Sequence, residues 1–321
     1  MANIVFEGKS YACEEGASVL DTLLAHGVAV AHSCGSGACQ TCMLRLESGA
    51  VPQAAQTGLK DTLRAQGYFL PCVCHPHGDL AIARPDAALT RIEATVSHIT
   101  PLSQDVVCVG LSGSQPVHYR PGQFINLFKD ETTARSYSLA SVAADGELRL
   151  HVRRFANGQV SRWIHHELQT GDLVKLTPPA GNCFYLPGNP EQPLLLVGTG
   201  TGLAPLYGIA RDALQQGHRG PIHLYHGSRD LAGLYLVEQL QAMLQQHANF
   251  HYWPCVSGAQ VPEGFVPGRA LDVALSETPA LEGWRVFLCG NPEMVKTARK
   301  RAFLAGAAMR DIFSDAFGHA A

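Results

Sequence analysis

The sequence predicts three consecutive domains: a small α+β domain, an antiparallel β-barrel and a parallel-sheet α/β domain. Three observations predict this order. Six of the ten cysteines lie before residue 86. From residue 91 to about residue 187, short alternating segments are separated by glycine and proline, which is typical of a small barrel. From residue 193, apolar strands alternate with helical stretches, which is typical of a parallel sheet. We place the domains at residues 1–88, 89–189 and 190–321.

The composition narrows the function classes. The 321 residues carry 24 basic and 27 acidic side chains, a net charge of −3, with no basic block, so nucleic acid is not an expected partner. No apolar run approaches the roughly 18 residues of a membrane span, and the first ten residues lack the pattern of a signal peptide. We therefore expect a cytoplasmic protein without a membrane contact. In that compartment ten cysteines indicate metal or redox chemistry rather than a disulfide framework.

The local elements follow from periodicity. In the first domain we expect strands at 4–6 and 11–13, then a helix over 18–26 that ends at Gly27. The second domain opens with a strand over 91–96. In the third domain, strands at 194–197 and 222–225 should alternate with helices over 206–216 and 234–246.

The first domain contains a cysteine cluster. Cys34, Cys39 and Cys42 have Cys-x4-Cys-x2-Cys spacing, which is the spacing of plant-type [2Fe–2S] ferredoxins. Gly35 and Gly37 allow the loop to wrap closely around inorganic sulfur. A fourth thiolate must come from elsewhere, and we choose Cys72 with Cys74 as the minority option.

Two other kinds of metal site are alternatives to the [2Fe–2S] cluster. A structural zinc site could use Cys39 and Cys42 with a later cysteine pair. A Rieske centre would need two histidines, and His75 and His77 lie close to Cys72. The Rieske alternative leaves three clustered cysteines unexplained. Cys13, Cys108, Cys183 and Cys255 are most simply buried apolar residues.

The second domain has three segments that suit a flavin. An aromatic ring can stack on the isoalloxazine, a hydroxyl suits its N5 atom, and arginine with backbone N–H groups suits a diphosphate. These groups occur in 135–139, in 151–154 and in 158–161. Arg135 and Tyr137 should share one face of a strand, with Ser138 on the other. In this order the segments resemble the FAD domain of the ferredoxin–NADP reductase superfamily.

That resemblance implies roles for individual residues. Arg135 would hold the FAD diphosphate, Tyr137 would stack on the flavin, and Ser138 would face N5. Arg153 would lie near the phosphates and adenine, and Ser161 at the diphosphate. The remaining residues expected at the FAD site are Leu139, His151, Val152, Gly158 and Val160.

The third domain opens with a strand, a glycine-rich turn and a helix. The turn has Gly-x-Gly-x-Gly spacing, which differs from the dehydrogenase fingerprint, and its backbone can approach a pyrophosphate. It resembles the nicotinamide domain of the same superfamily. The residues expected there are Gly198, Thr199, Gly200, Thr201 and Gly202.

Two later segments support the same resemblance. Cys289, Gly290 and Pro292 look like the superfamily's Cys-Gly-x-Pro turn, whose cysteine lies near the nicotinamide. The C-terminal segment resembles the tail that approaches the flavin, so Asp315 or Phe317 would gate the nicotinamide. We take Ser138, Cys289, Asp315 and Phe317 as the catalytic candidates.

The end of the second strand of this domain bears on the choice of dinucleotide. Ser228 and Arg229 are candidate contacts to its ribose, and both Arg229 and Asp230 are present. An acidic residue favours a 2′-hydroxyl and an arginine a 2′-phosphate. We expect NADH in preference to NADPH.

The whole chain is similar to the reductase components of bacterial multicomponent oxygenases, such as the benzoate and naphthalene dioxygenase reductases and phenol hydroxylase reductase. This resemblance implies a β-grasp ferredoxin domain, a β-barrel FAD domain and a Rossmann-like nucleotide domain. It also implies a monomeric NADH:acceptor reductase that passes single electrons to a separate oxygenase component. The loop 33–40 would then form part of the docking surface.

Other acceptors and another class stay open. The partner could be a diiron monooxygenase or a deoxysugar-forming dehydrase instead of a Rieske-type oxygenase. The protein could also be a stand-alone NAD(P)H:flavin reductase or redox sensor. A ligand-binding protein that has lost its chemistry is disfavoured by the intact Cys34, Arg135, Tyr137 and Cys289.

Overall fold

The computed structural model describes residues 2–318 and contains three β-sheets, one in each third of the chain. The strands are β1 Ala2–Phe6, β2 Lys9–Cys13, β3 Leu44–Ser48, β4 Tyr68–Phe69, β5 Leu80–Ala83, β6 Ile92–Pro101, β7 Val106–Gly113, β8 Phe124–Phe128, β9 Ala134–Ser138, β10 Leu148–Arg153, β11 Leu173–Leu176, β12 Leu194–Thr199, β13 Ile222–Ser228, β14 Phe250–Val256, β15 Val266–Pro267, β16 Arg285–Gly290 and β17 Ile312–Ala316. The helices are α1 Val19–Ala25, α2 Asp61–Ala65, α3 Ala87–Thr90, α4 Gln159–His166, α5 Leu203–Gln215, α6 Val237–Gln246, α7 Ala270–Glu277 and α8 Pro292–Leu304.

The first sheet has the order β2-β1-β5-β3-β4, with β1 parallel to β5 and the other pairs antiparallel. Helix α1 packs Val19, Leu20 and Leu23 into the core of this sheet. Its N-cap is Ser18, whose hydroxyl accepts from the Asp21 N–H at 3.1 Å. The helix ends at Gly27, which has φ of +73°. The expected strand–strand–helix order is therefore present.

The second sheet is antiparallel, in the order β10-β7-β6-β11-β8-β9. An isolated bridge between Leu139 and Leu150 joins its two edges and closes it into a barrel. Its interior holds apolar side chains such as Val109, Leu127 and Leu150. The predicted antiparallel barrel is confirmed.

The third sheet is parallel, in the order β15-β14-β13-β12-β16-β17. Helices cover both faces, because α5 and α6 pack on one core cluster and α7 and α8 on another. The strand order reverses beside β12, and a crevice at the carboxyl ends of strands is the usual ligand site at such a point. The predicted fold class, three domains with these three sheet types, is confirmed.

Candidate functional site

A single large cleft runs between the three sheets. Its volume is about 1330 Å³, and residues of all three domains line it. Ser33, Cys34, Ala38 and Cys39 come from the first domain. The barrel contributes β9 and the loop before α4, and the third domain contributes the turn after β12, the end of β13 and the C-terminal strand. The volume exceeds the usual range for one small ligand, so there is room for more than one cofactor.

The four predicted cluster cysteines assemble in two pairs. The Cys34 and Cys39 side chains are hydrogen-bond partners, and so are those of Cys42 and Cys72. A [2Fe–2S] cluster takes four thiolates, two for each iron. Two pairs of cysteines match the two thiolates that each iron of such a cluster needs.

Backbone N–H groups point at the sulfurs of these cysteines. Cys34 Sγ accepts from the N–H groups of Ser36 at 3.4 Å and Cys39 at 3.3 Å. Cys39 Sγ accepts from the Cys34 N–H at 3.4 Å. Because metal ligation needs thiolates, these donors fit a cluster and would tune its potential.

Cys72 and Cys74 differ in their packing. Cys72 lies beside Cys42, and the Cys42 thiol together with the Gly37 N–H lowers its pKa. Cys74 is fully buried in the core of the first domain beside Cys13, and burial raises its pKa to about 12. His75, which the Rieske alternative would use, is bonded through Nδ1 to the Gly16 carbonyl at 3.1 Å. The geometry thus favours Cys72 as the fourth ligand.

Strand β9 contributes four consecutive residues to the cleft lining: Arg135, Ser136, Tyr137 and Ser138. This strand pairs with β8 along its length and meets β10 at the isolated bridge of Leu139 with Leu150. Tyr137 therefore offers an aromatic face to the cleft, and Ser138 a hydroxyl. The guanidinium of Arg135 donates to the His32 carbonyl of the first domain at 3.2 Å. Arg135 thus touches the cluster loop as well as the expected flavin site.

Three of the predicted FAD residues sit around the loop before α4. Ser161 Oγ accepts from the Phe155 N–H at 3.2 Å and donates to the Gly158 carbonyl at 3.3 Å, which shapes the loop. Gly158, Val160 and Ser161 line the cleft at the N-terminus of the eight-residue helix α4. A helix N-terminus favours a phosphate.

Arg153 connects the barrel to the nucleotide turn. It is held by Asp105, with Nε 2.8 Å from Oδ2, and its Nη1 lies 3.1 Å from where a Cβ on Gly200 would stand. Gly200 has φ of +54°, so the turn leaves a cradle that any side chain there would fill. Arg153 and Gly200 both line the cleft. This cradle, with Tyr137 and the α4 N-terminus, fits FAD and a second dinucleotide.

The residues of the predicted glycine-rich turn fall into two groups: some line the cleft, and others allow close packing of neighbouring elements. Thr199, Gly200 and Thr201 line the cleft. Gly202 packs against Cys289, since a Cβ there would come within 2.2 Å of the Cys289 carbonyl oxygen. A Cβ on Gly198 would lie 2.7 Å from Leu206 Cδ1. Gly198 and Gly202 therefore serve close packing of strand on helix.

The catalytic candidates meet where the barrel contacts the third domain. Ser138 Oγ donates to Asp315 Oδ2 at 2.6 Å. Asp315 is the register partner of Cys289, and its N–H bonds the Cys289 sulfur. Cys289 is fully buried, 3.7 Å from the sulfur of Cys183. Burial raises the pKa of Asp315 and raises that of Cys289 further.

Other predicted residues take varied positions. Phe317 lines the cleft, and its N–H donates to the Gly290 carbonyl at 2.8 Å. Gly290 also lines the cleft, whereas Pro292 begins α8 and lines a smaller second cavity. His151 lines the cleft and bonds Tyr235 at 3.1 Å, and Leu139 and Val152 lie buried in the barrel core behind it.

The end of β13 contributes Ser228, Arg229 and Asp230 to the cleft. Asp230 Oδ1 accepts from the Gly233 N–H at 3.1 Å, which fixes the carboxylate at the cleft surface. Arg269 and Asp272 line the same end, with Asp272 paired to Arg301. The sequence analysis missed Arg269 and Asp272, because they lie at the start of α7, about 40 residues after Arg229 and Asp230.

Asn126 was also missed. It is 1% exposed and bonds the Cys39 carbonyl through Nδ2 at 2.8 Å. The sequence signal was present, because it is the single polar residue in the apolar strand Phe124–Phe128.

Comparisons with known proteins agree with this arrangement. The 2Fe-2S iron–sulfur cluster binding domain matches residues 4–77, the oxidoreductase FAD-binding domain matches 93–185, and the oxidoreductase NAD-binding domain matches 196–300. The reductase component of the naphthalene 1,2-dioxygenase system of Pseudomonas putida is 33% identical over 308 residues, 94% of each chain. The reductase subunit of an aromatic O-demethylase of an Amycolatopsis species is 35% identical over 307 residues, 91% of each.

A solved structure has the same architecture over the full length. The Amycolatopsis cytochrome P450 reductase GcoB superposes with a TM-score of 0.71 at 31% identity, covering 99% of both chains. Fold, cysteines and cleft together define an iron–sulfur flavoprotein oxidoreductase with an NAD(P)-binding domain. The chain belongs to the family of reductase components that serve aromatic dioxygenase and monooxygenase systems.

Within residues 2–318 the helices are all too short or too polar to cross a membrane.

Proposed function

We propose that this protein takes electrons from NADH and delivers them one at a time, through FAD and a [2Fe–2S] cluster, to a separate oxygenase component. The cleft carries this proposal. Cys34 and Cys39 of the first domain, Tyr137 and Ser138 of the barrel and Gly200 of the third domain all line it. This shared lining supports a path for electrons through one cavity.

The cofactors supply complementary chemistry: NADH provides a hydride, a flavin exchanges one or two electrons, and the cluster accepts one. The protein's residues position them. The Asp315 carboxylate accepts from Ser138, so it orients the hydroxyl that faces the flavin. Tyr137 provides the stacking surface, and Phe317 covers the nicotinamide end of the cleft. Cys289 is fully buried and its sulfur is bonded to the Asp315 N–H, so it would act by holding Asp315 in place.

We propose NADH as the preferred donor. The Asp230 carboxylate is fixed at the cleft surface by its bond to Gly233 N–H, and its charge disfavours a 2′-phosphate. Arg229 beside it offsets part of that repulsion, so NADPH should be used less well but not refused.

The identity of the electron-acceptor protein depends on the relatives more than on the cleft. The named relatives serve a naphthalene dioxygenase system and an aromatic O-demethylase, and the solved relative is a cytochrome P450 reductase. We propose an oxygenase component that acts on an aromatic compound. Ser33, Cys34, Ala38 and Cys39 face the cleft, so the docking surface is reduced to the outward part of the loop, where Gly35 and Ser36 are exposed. Such an interface is small and transient.

The test is an anaerobic titration of the purified protein with NADH, followed by visible absorption and EPR. We expect bleaching of a flavin band together with the signal of one reduced [2Fe–2S] centre. Bleaching without that signal would contradict the cluster. Fast reduction of free flavin, with no gain from any oxygenase component, would instead identify a stand-alone flavin reductase.

A further inference from the structure

Asn126 links the flavin side of the barrel to the cluster loop. Its amide Nδ2 donates to the Cys39 carbonyl at 2.8 Å. Its Oδ1 accepts from Thr41 Oγ1 at 2.9 Å and from Ser136 Oγ at 2.7 Å. Ser136 stands next to Tyr137 on β9, and Thr41 lies between two cluster cysteines. One buried amide is therefore bonded to both expected cofactor sites.

The orientation of this amide is fixed by its partners. The Cys39 carbonyl can only accept, so the NH₂ group must face it, and the two hydroxyls then donate to Oδ1. The backbone of Asn126 is held in the barrel by Thr177, through bonds of 3.0 Å in both directions. The Asn126 side chain is thus held in place by the barrel and hydrogen-bonds to the first domain.

Two of the three hydrogen bonds of this amide cross to the first domain: Nδ2 to the Cys39 carbonyl, and Thr41 Oγ1 to Oδ1. A shifted docking that kept the amide buried without these partners would carry the free-energy cost of an unsatisfied polar group. The apolar contact at this junction is small, formed by Ala31, Phe128 and Ala134. The hydrogen bonds of Asn126 therefore specify the docked position.

Thr41 gives Asn126 a second effect. The Thr41 hydroxyl lies 3.1 Å from Cys39 Sγ and 2.9 Å from Asn126 Oδ1, and it has one proton for the two acceptors. Hydrogen bonds to a ligand sulfur help to set a cluster's reduction potential. When Asn126 is present, part of this donation is drawn away from the sulfur.

We propose that Asn126 is a positioning residue for electron transfer: it fixes the distance between flavin and cluster, and it limits the hydrogen bonding of Thr41 to the Cys39 ligand. This inference rests on the proposed reductase function. It assigns a role to a residue that is neither a cluster cysteine nor part of the cleft lining.

The test uses the full-length protein loaded with both cofactors. In Asn126→Leu, reduction of the flavin by NADH should change less than about twofold, whereas reduction of the cluster should slow by about 10- to 100-fold, the range for lost outer-shell partners. The cluster potential, from EPR-monitored titration, should shift upward because Thr41 now donates only to sulfur. In Thr41→Val/Asn126→Leu this upward shift should disappear relative to Thr41→Val.

A second variant separates the two effects. Asn126→Asp keeps acceptors for both hydroxyls but cannot donate to the Cys39 carbonyl. Cluster reduction should slow again, and the potential should fall, because a negative charge is added. Opposite shifts in Leu and Asp variants are not expected from mere loss of packing, and the Asp variant also covers the case in which the Leu variant does not fold.

The matched control is Asn249→Leu, which removes an asparagine that bonds two backbone carbonyls inside the third domain at 3.0 Å. It should leave cluster reduction and potential unchanged even if the protein is less stable. Unchanged cluster reduction and potential in both Asn126 variants would overturn the inference. A wild-type protein whose cluster is not reduced by NADH would instead overturn the proposed function.

Discussion

The two junctions of the barrel differ in kind. The junction with the nucleotide domain is a continuous apolar core, in which Val106, Cys183 and Tyr185 pack with Leu194 and Leu206. The junction with the iron–sulfur domain has a three-residue apolar contact and depends on hydrogen bonds from Asn126 and Arg135. The barrel and nucleotide domain therefore form one structural unit to which the iron–sulfur domain is attached by polar contacts.

The difference matches the two transfers. Hydride transfer needs reacting atoms about 3–3.5 Å apart, which requires a rigid junction. One-electron transfer needs a fixed separation without atomic contact, and a few hydrogen bonds are enough to set it. Because the contact with the barrel is small, most of the surface of the iron–sulfur domain stays available to a partner.

Removing a cluster ligand should have the largest effect, because it abolishes electron transfer to the iron–sulfur domain and leaves hydride transfer to the flavin intact. In Cys72→Ala the EPR signal of the reduced cluster should be lost, while NADH still bleaches the flavin. Cys74→Ala is the control: Cys74 is two positions along the chain but fully buried in the core, so the signal should persist. The reverse result would make Cys74 the fourth ligand.

The rigid junction is probed by Ser138→Ala. Ser138 donates its single proton to Asp315, so its oxygen remains as an acceptor for the N5–H of a reduced flavin. Loss of this aligned hydrogen-bonding group should slow flavin reduction by about 100-fold. The loss should fall on the rate constant and not on the affinity for NADH, as measured by anaerobic rapid mixing. Ser141→Ala, which removes a hydroxyl bonded to Tyr119 inside the barrel, is the control. Equal losses in the two variants would make Ser138 a structural residue.

Sequence reasoning predicted these two sites unequally well. The cysteine spacing and the glycine turn are local patterns, so Cys34, Cys39 and Gly200 were found from neighbouring residues. The Ser138–Asp315 bond joins residues 177 positions apart. Asn126 needs the pairing of β8 with a loop 87 residues away. Such pairs depend on how domains dock, and the sequence alone contains no periodicity that reports it.

The same limit explains the unexpected glycines. Gly198 and Gly202 were expected to approach a pyrophosphate, yet they allow β12 and α5 to pack against β16. A glycine pattern shows that space is needed, but not whether a ligand or a neighbouring backbone takes that space.

Acid should weaken the shared core. Burial lowers the pKa of His151 to about 3 and that of His226 to about 4. Below about pH 6.5 the unfolded chain binds protons that the folded chain does not, so the stability present above that pH is lost as pH falls toward these values. At pH 5 the loss is roughly 2 kcal/mol for each histidine.

The measurement is denaturant unfolding of the barrel–nucleotide unit between pH 7.5 and 5. His226→Gln should reduce the slope by roughly 1.4 kcal/mol per pH unit, since one titrating group is gone. His166→Gln, at an exposed position on α4, should keep the wild-type slope. A slope that does not change in His226→Gln would mean that His226 is protonated in the folded protein.

The smallest expected effect concerns the outer end of the rigid unit, where the dinucleotide ribose would lie. Asp230→Asn keeps an acceptor for the Gly233 N–H and removes the charge. We expect kcat/KM for NADPH to rise by about 3- to 10-fold, as a screened surface charge of about 1 kcal/mol implies, with little change for NADH.

Arg229→Ala should lower kcat/KM for NADPH. Glu238→Gln on α6 is the charge-matched control, because it removes an exposed carboxylate outside the cleft. If Asp230→Asn and Glu238→Gln change the ratio equally, general surface charge sets the preference. If only Asp230→Asn changes it, the carboxylate fixed by Gly233 does.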